Sequence, residues 1–152
     1  MRARIPAAAL ALSVALACAK QEAPKSAANA TLPAPSLDDR FFAGGIRPAA
    51  GAVTANPFAH DSNASREGGK LFVAMNCDGC HGGGATGWVG PSLTDGRWRY
   101  GGSDAAVFRS IYYGRPKGMP AFGGVLPPEA IWQIVEYLRA QPLPKDVPTE
   151  RW

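Results

Sequence analysis

The sequence predicts a small all-α domain whose helices are joined by long loops. Two observations predict the helices: three stretches carry apolar residues at helical spacing, and no stretch reads as a sheet strand. A third predicts the loops. The chain has 18 Gly and 14 Pro in 152 residues, and between the helical stretches it is nearly all Gly, Pro and polar residues.

The first predicted helix follows the polar run DSNAS, with Asn63 or a neighbour as its cap, and continues through REGGKLFVAMN into the segment NCDGCHGG. Leu71, Phe72 and Met75 give it an apolar stripe. The second opens at Ser103, a favoured N-cap followed by Asp104, buries Val107, Phe108 and Ile111, and ends at Gly114. The third starts at Pro128, with Glu129 near the positive end of the helix dipole. Ile131, Ile134, Val135 and Leu138 form its buried stripe, and Pro142 ends it.

The folded unit is expected over 56–144, with a short tail at 145–152. Residues 1–17 read as a signal peptide: Arg2 and Arg4 precede an apolar run too short for a stable bilayer span. Export to the periplasm follows. Two readings of the exit site stay open. Ala15-Leu16-Ala17 fits ordinary cleavage, while Cys18 fits a lipidated terminus, although Ala15 stands where lipoprotein signals usually carry Leu. Lipidation gives a use to a thiol otherwise left unpaired in an oxidising compartment. Residues 18–55 are rich in Ala and Pro, lack periodicity and read as a flexible tether, with Phe41 and Phe42 as exceptions suited to packing back on the domain.

The formal charge of +4 includes Arg2 and Arg4; without them 14 basic residues face 12 acidic ones, a net of +2. Distribution says more than the total. Arg97, Arg99, Arg109, Arg115 and Lys117 are opposed only by Asp104 between positions 97 and 117. In an exported chain this suits an acidic protein partner rather than nucleic acid.

The central motif is Cys77-x-x-Cys80-His81. Two thiols at this spacing add to the two vinyl groups of a porphyrin edge, and the adjacent imidazole reaches iron from one face. A redox disulfide would call for a βαβ setting, and tetrahedral zinc for further Cys or His, of which only Cys18 and His60 remain. The motif therefore predicts one haem c, held covalently through Cys77 and Cys80. A low-spin haem needs a second axial ligand, and Met119 in GRPKGMPAFGG is expected to supply it. Gly118 permits close approach to the porphyrin, and Pro120 stiffens the backbone. Met75 reads as packing and His60 as solvated. With His81 and Met119 filling both axial positions, the site passes electrons and is not an enzyme. The alternative is a haem-based gas sensor or small peroxidase, which requires Met119 to leave iron easily.

The stretch 65–141, with CDGCH, GPSL, GMPAF and a last helix containing VEYLRA, resembles a class I cytochrome c domain. More narrowly, PSLTDGRWRYGG followed by GRPKGMPAF is similar to the haem domains of subunit III of cbb3-type cytochrome oxidases and related single-haem cytochromes. The resemblance implies a class I cytochrome c fold and a mono-haem carrier. Its redox partners would be a terminal oxidase, a periplasmic dehydrogenase or a bc1-type complex. It also implies that the Pro91 carbonyl accepts from the His81 ring, and that Trp98, with Arg97 or Arg99, contacts a haem propionate. Tyr137 would pack across the first helix near Gly68 or Gly69. This sequence departs from subunit III in carrying one haem motif rather than two and no long membrane span.

Overall fold

The computed structural model describes residues 35–51 and 55–143. The expected signal peptide, Cys18, the first part of the tether and the tail at 145–152 lie outside the described residues. Among the described residues four α-helices follow in order: α1 (Ser62–Ala74), α2 (Asp78–His81), α3 (Asp104–Tyr113) and α4 (Pro128–Ala140). Single 3-10 turns occupy Ala43–Gly45 and Gly83–Ala85. Among the described residues, extended pairing is confined to two isolated bridges, Phe42 with Ala121 and Arg115 with Met119. The all-α expectation holds.

Local chemistry sets the helix ends. The cap of α1 is Asp61, whose carboxylate accepts from the backbone N–H of Asn63 at 2.8 Å and of Ala64 at 3.1 Å. Asn63 lies inside the helix and accepts from Arg66 instead. The helix also stops before the cysteine motif, rather than running into it as the sequence suggests. Asn76 adopts φ 56°, a left-handed conformation that Asn tolerates better than most residues, and this ends α1. The chain restarts as the single turn of α2, which carries Cys80 and His81, with Cys77 at its N-cap. Ser103 caps α3 as expected, its Oγ accepting from Ala106 N–H at 3.3 Å.

The scaffold is the crossing of α1 and α4. A Cβ on Gly68 would lie 1.8 Å from the Gln133 carbonyl oxygen, so only glycine lets the two backbones meet here. Beside it, the Tyr137 ring covers Gly69 and packs against Phe72 at 5.2 Å between centroids. The expected crossing of Tyr137 over α1 is therefore present. Helix α3 closes the third side, where Phe108 stacks on Trp132 at 4.2 Å.

The start of the folded unit is pinned to α4 by a buried carboxylate. Glu136 is 5% exposed, yet it accepts from Asn56 Nδ2 at 2.5 Å and from the His60 N–H at 3.0 Å. These bonds offset the cost of burying the charge. The His60 side chain itself is exposed, in keeping with a solvated role.

Residues 35–51 differ from a free tether. Leu37 is 5% exposed and belongs to the core, and Phe42 packs against it, whereas Phe41 is 67% exposed. Leu37 in the core, the Arg40 side chain and two backbone hydrogen bonds to Ala121 hold this segment, and their partners are distant in the chain.

Candidate functional site

Between the helices and the loops lies a small, partly open apolar cavity. Helix α1 contributes Phe72, α3 contributes Ile111, and α4 contributes Ile134 and Leu138; Leu93 and Phe122 come from loops. Cys77, His81 and Met119 line the same cavity. An apolar hollow that gathers an imidazole, a thioether and a thiol suits a large apolar group carrying a metal.

His81 is 9% exposed, and its Nδ1 lies 2.8 Å from the Pro91 carbonyl oxygen. A carbonyl only accepts, so Nδ1 carries the hydrogen and donates it, leaving the Nε2 lone pair for a metal. The loop that brings Pro91 to this place is tied to the motif: Gly90 N–H donates to the Cys80 carbonyl at 2.8 Å, and Gly87 N–H to that of His81 at 2.7 Å.

Met119 is set by the last turn of α3. Gly114 leaves the helix at φ 67° and ψ −176°, a region open essentially to glycine, and a Cβ there would sit 2.6 Å from the Met119 carbonyl oxygen. The turn then closes through Arg115 N–H to Met119 O at 3.0 Å. Beyond Met119, Phe122 N–H donates to Ile111 O and Gly123 N–H to Tyr112 O, both at 3.0 Å. These bonds use carbonyls that the end of a helix leaves unpaired. The thioether thus stands on a loop fixed at its base.

Burial, reinforced by Asp78, pushes the Cys77 thiol up to about 11, while Cys80 is exposed. A thiol kept neutral at ordinary pH is a poor redox nucleophile. It is compatible with a thioether in an apolar wall. Among the described residues no group of three or more His, Cys, Asp or Glu could hold a metal ion.

Trp98 and Arg97, the residues expected at a propionate, have the following surroundings. Trp98 is partly buried against the core, with the Arg139 guanidinium 5.2 Å from the centre of its ring. Arg97 has a buried Nη2 without a hydrogen-bond partner, which calls for an anion. The donor set fits a covalent haem: Cys77, the His81 imidazole and the Met119 thioether line one apolar hollow, Cys80 is an exposed, unbridged thiol on the same short motif, and half-buried Arg97 has one guanidinium nitrogen without a partner.

The comparisons agree with this geometry. Residues 63–138 match the family model described as cytochrome c oxidase, cbb3-type, subunit III, which is half of the chain. The chain belongs to this cytochrome family. The cytochrome is 40% identical over 77 residues to the cbb3-type cytochrome c oxidase subunit FixP of Bradyrhizobium diazoefficiens, covering 49% of this chain and 26% of that one. Over 82 residues it is 40% identical to the subunit CcoP of Cereibacter sphaeroides, covering 52% and 28%. The chain thus spans about a quarter of the length of these relatives. Among solved structures, cytochrome cL of Methylophaga aminisulfidivorans aligns with a TM-score of 0.52 at 31% identity, covering 55% of this chain and 57% of that one. Cytochrome cL of Hyphomicrobium denitrificans aligns at 0.53 and 26% identity, covering 56% and 51%. The class I cytochrome c fold is established by these likenesses, and haem c and electron transfer come with the family.

The basic stretch is less free than its sequence suggests. Arg115 donates through Nε and Nη2 to Ser110 Oγ at 3.0 and 2.8 Å and lies 4.2 Å from the Tyr100 ring centre. Burial, with Arg40 nearby, lowers its pKa. Asp104 is engaged with Arg139 at 2.8 Å. Arg99 and Lys117 are exposed, whereas Arg97, Arg109 and Arg115 are half-buried. The residue that sequence reasoning missed is Arg40, which reaches the carbonyls of Tyr113 and Gly114.

Proposed function

We propose that the cytochrome is an exported mono-haem electron carrier that moves single electrons between respiratory or dehydrogenase partners and an oxidase. The carrying observation is that His81, Met119 and Cys77 line one apolar cavity while Pro91 fixes the His81 tautomer. In this reading Cys77 and Cys80 bind the haem covalently, and His81 and Met119 are its axial ligands. When bound, the haem supplies a one-electron couple. The chain's own residues set its character: the neutral thioether of Met119 favours ferrous iron, and the Pro91 carbonyl makes the His81 imidazole a stronger donor. Phe72, Ile111, Ile134 and Leu138 keep water away. Arg97 and Trp98 would hold a propionate.

Export through residues 1–17, attachment at a lipidated Cys18 and a tether upstream of the domain belong to the same proposal. They would place the carrier at the periplasmic face of a membrane. An oxidase, a periplasmic dehydrogenase or a bc1-type complex is then within reach. The names of the FixP and CcoP relatives support an oxidase as acceptor.

The test is oxidation of the reduced holoprotein by membranes of its source organism. The account expects rapid oxidation that cyanide blocks. With Arg99 and Lys117 exposed to steer an acidic partner, the rate should fall about threefold or more between about 0.02 and 0.2 M salt. A rate indifferent to salt contradicts the steering. A reduced protein that is not oxidised, yet binds carbon monoxide rapidly, contradicts the carrier.

A further inference from the structure

We propose that residues 37–46 are a strap that positions the Met119 loop, with Arg40 as its latch. The inference rests on Met119 being the second axial ligand.

Three attachments from this upstream segment converge on one short loop. At the base, the Arg40 side chain, only 8% exposed, donates through Nη1 to the carbonyl of Tyr113 at 3.4 Å and to that of Gly114. These oxygens end α3, where carbonyls lack helical partners and a cation is favoured by the dipole. Asp39 holds the guanidinium from behind, at 3.1 Å from Nε. In the middle, Ala121 gives both of its backbone groups to the strap. Its N–H donates to Phe41 O at 2.8 Å, and its carbonyl accepts from Ala43 N–H at 2.9 Å. Pro120, between Met119 and Ala121, has no N–H to offer. At the far end, a Cβ on Gly124 would lie 2.1 Å from the Ile46 carbonyl oxygen, so the strap crosses the loop where a side chain is missing. Leu37, 5% exposed, anchors the segment in the core.

Movement of Met119 away from iron displaces the backbone of its loop, and that backbone is paired with the strap. The strap must lift first. Its grip therefore sets how readily a foreign ligand replaces the thioether, which separates a closed carrier from an open haem. Arg40 touches neither ligand; it is a positioning residue.

The experiment uses the full-chain holoprotein and measures imidazole binding to the ferric form, amide hydrogen exchange at Ala121 and the urea midpoint. Loss of the charge-assisted bonds of Arg40 should raise imidazole affinity about tenfold in Arg40→Ala. Gly124→Ala, which pushes the strap away through Ile46, should do the same and speed Ala121 exchange. Arg40→Lys, which still donates to the carbonyls, should stay within about threefold of the parent. Val135→Ala, a core change on α4, should lower the urea midpoint without raising imidazole affinity. Should Arg40→Ala fail to accumulate, Gly124→Ala decides alone. Imidazole affinities within about twofold of the parent in both loosened variants overturn the strap, as does an equal rise in Val135→Ala. A sulfur-to-iron band that survives Met119→Ala overturns the ligand assignment itself, and the proposal with it.

Discussion

Replacing Cys77 and Cys80 together by Ala yields a colourless protein that has lost most of its helical circular dichroism, even in a host competent for cytochrome maturation. The reason lies in how little core remains without the haem. Helices α1, α3 and α4 meet around an apolar hollow lined by Phe72, Ile111, Ile134 and Leu138, and without the haem these walls lose the contacts that a close-packed core requires. A small domain has a total stability of only about 5–15 kcal/mol, so the loss of those contacts weighs heavily. The Gly- and Pro-rich loops that carry Pro91 and Met119 also lose the group their side chains would enclose. Colour and helix content are read on the same sample. Full helicity in the double variant would contradict a fold that depends on its cofactor.

Met119→Ala should keep colour and fold but lose the sulfur-to-iron charge-transfer band at the red edge of the ferric spectrum. The thiols and His81 are untouched by this change, and the loop is held by backbone bonds to Ile111, Tyr112 and Phe41 that Ala retains. Without the thioether the preference for ferrous iron falls. A preference of about a hundredfold corresponds to about 120 mV in a one-electron couple, so the potential should drop by roughly that amount. The vacated position should bind carbon monoxide rapidly in the reduced protein, which the parent should not do. An unchanged spectrum would transfer the axial role to another residue.

Much of this architecture is legible in the sequence because its helices are amphipathic and its caps conventional. Val107, Phe108 and Ile111 on α3, and Ile131, Ile134, Val135 and Leu138 on α4, fall at the spacing that a buried stripe requires, and all are buried. The chemistry of the Cys77–His81 motif and the setting of Met119 are equally local. The contact of Pro91 with His81, implied by family likeness, appears at 2.8 Å. Other features depend on partners distant in the chain, and spacing cannot reveal those. Arg40 meets Tyr113 and Gly114 across more than seventy residues, and Ala121 pairs with Phe41 and Ala43 through backbone groups that every residue possesses. Arg115 looks like surface charge until Ser110 and Tyr100 are seen to enclose it. The break between α1 and α2 turns on one left-handed residue, Asn76, within an otherwise continuous pattern.

The most direct test of axial ligation by His81 and Met119 is iron X-ray absorption on the purified holoprotein. The account predicts a six-coordinate iron with one sulfur neighbour and nitrogen at the other positions. A five-coordinate iron, or a shell of nitrogen and oxygen without sulfur, would contradict it.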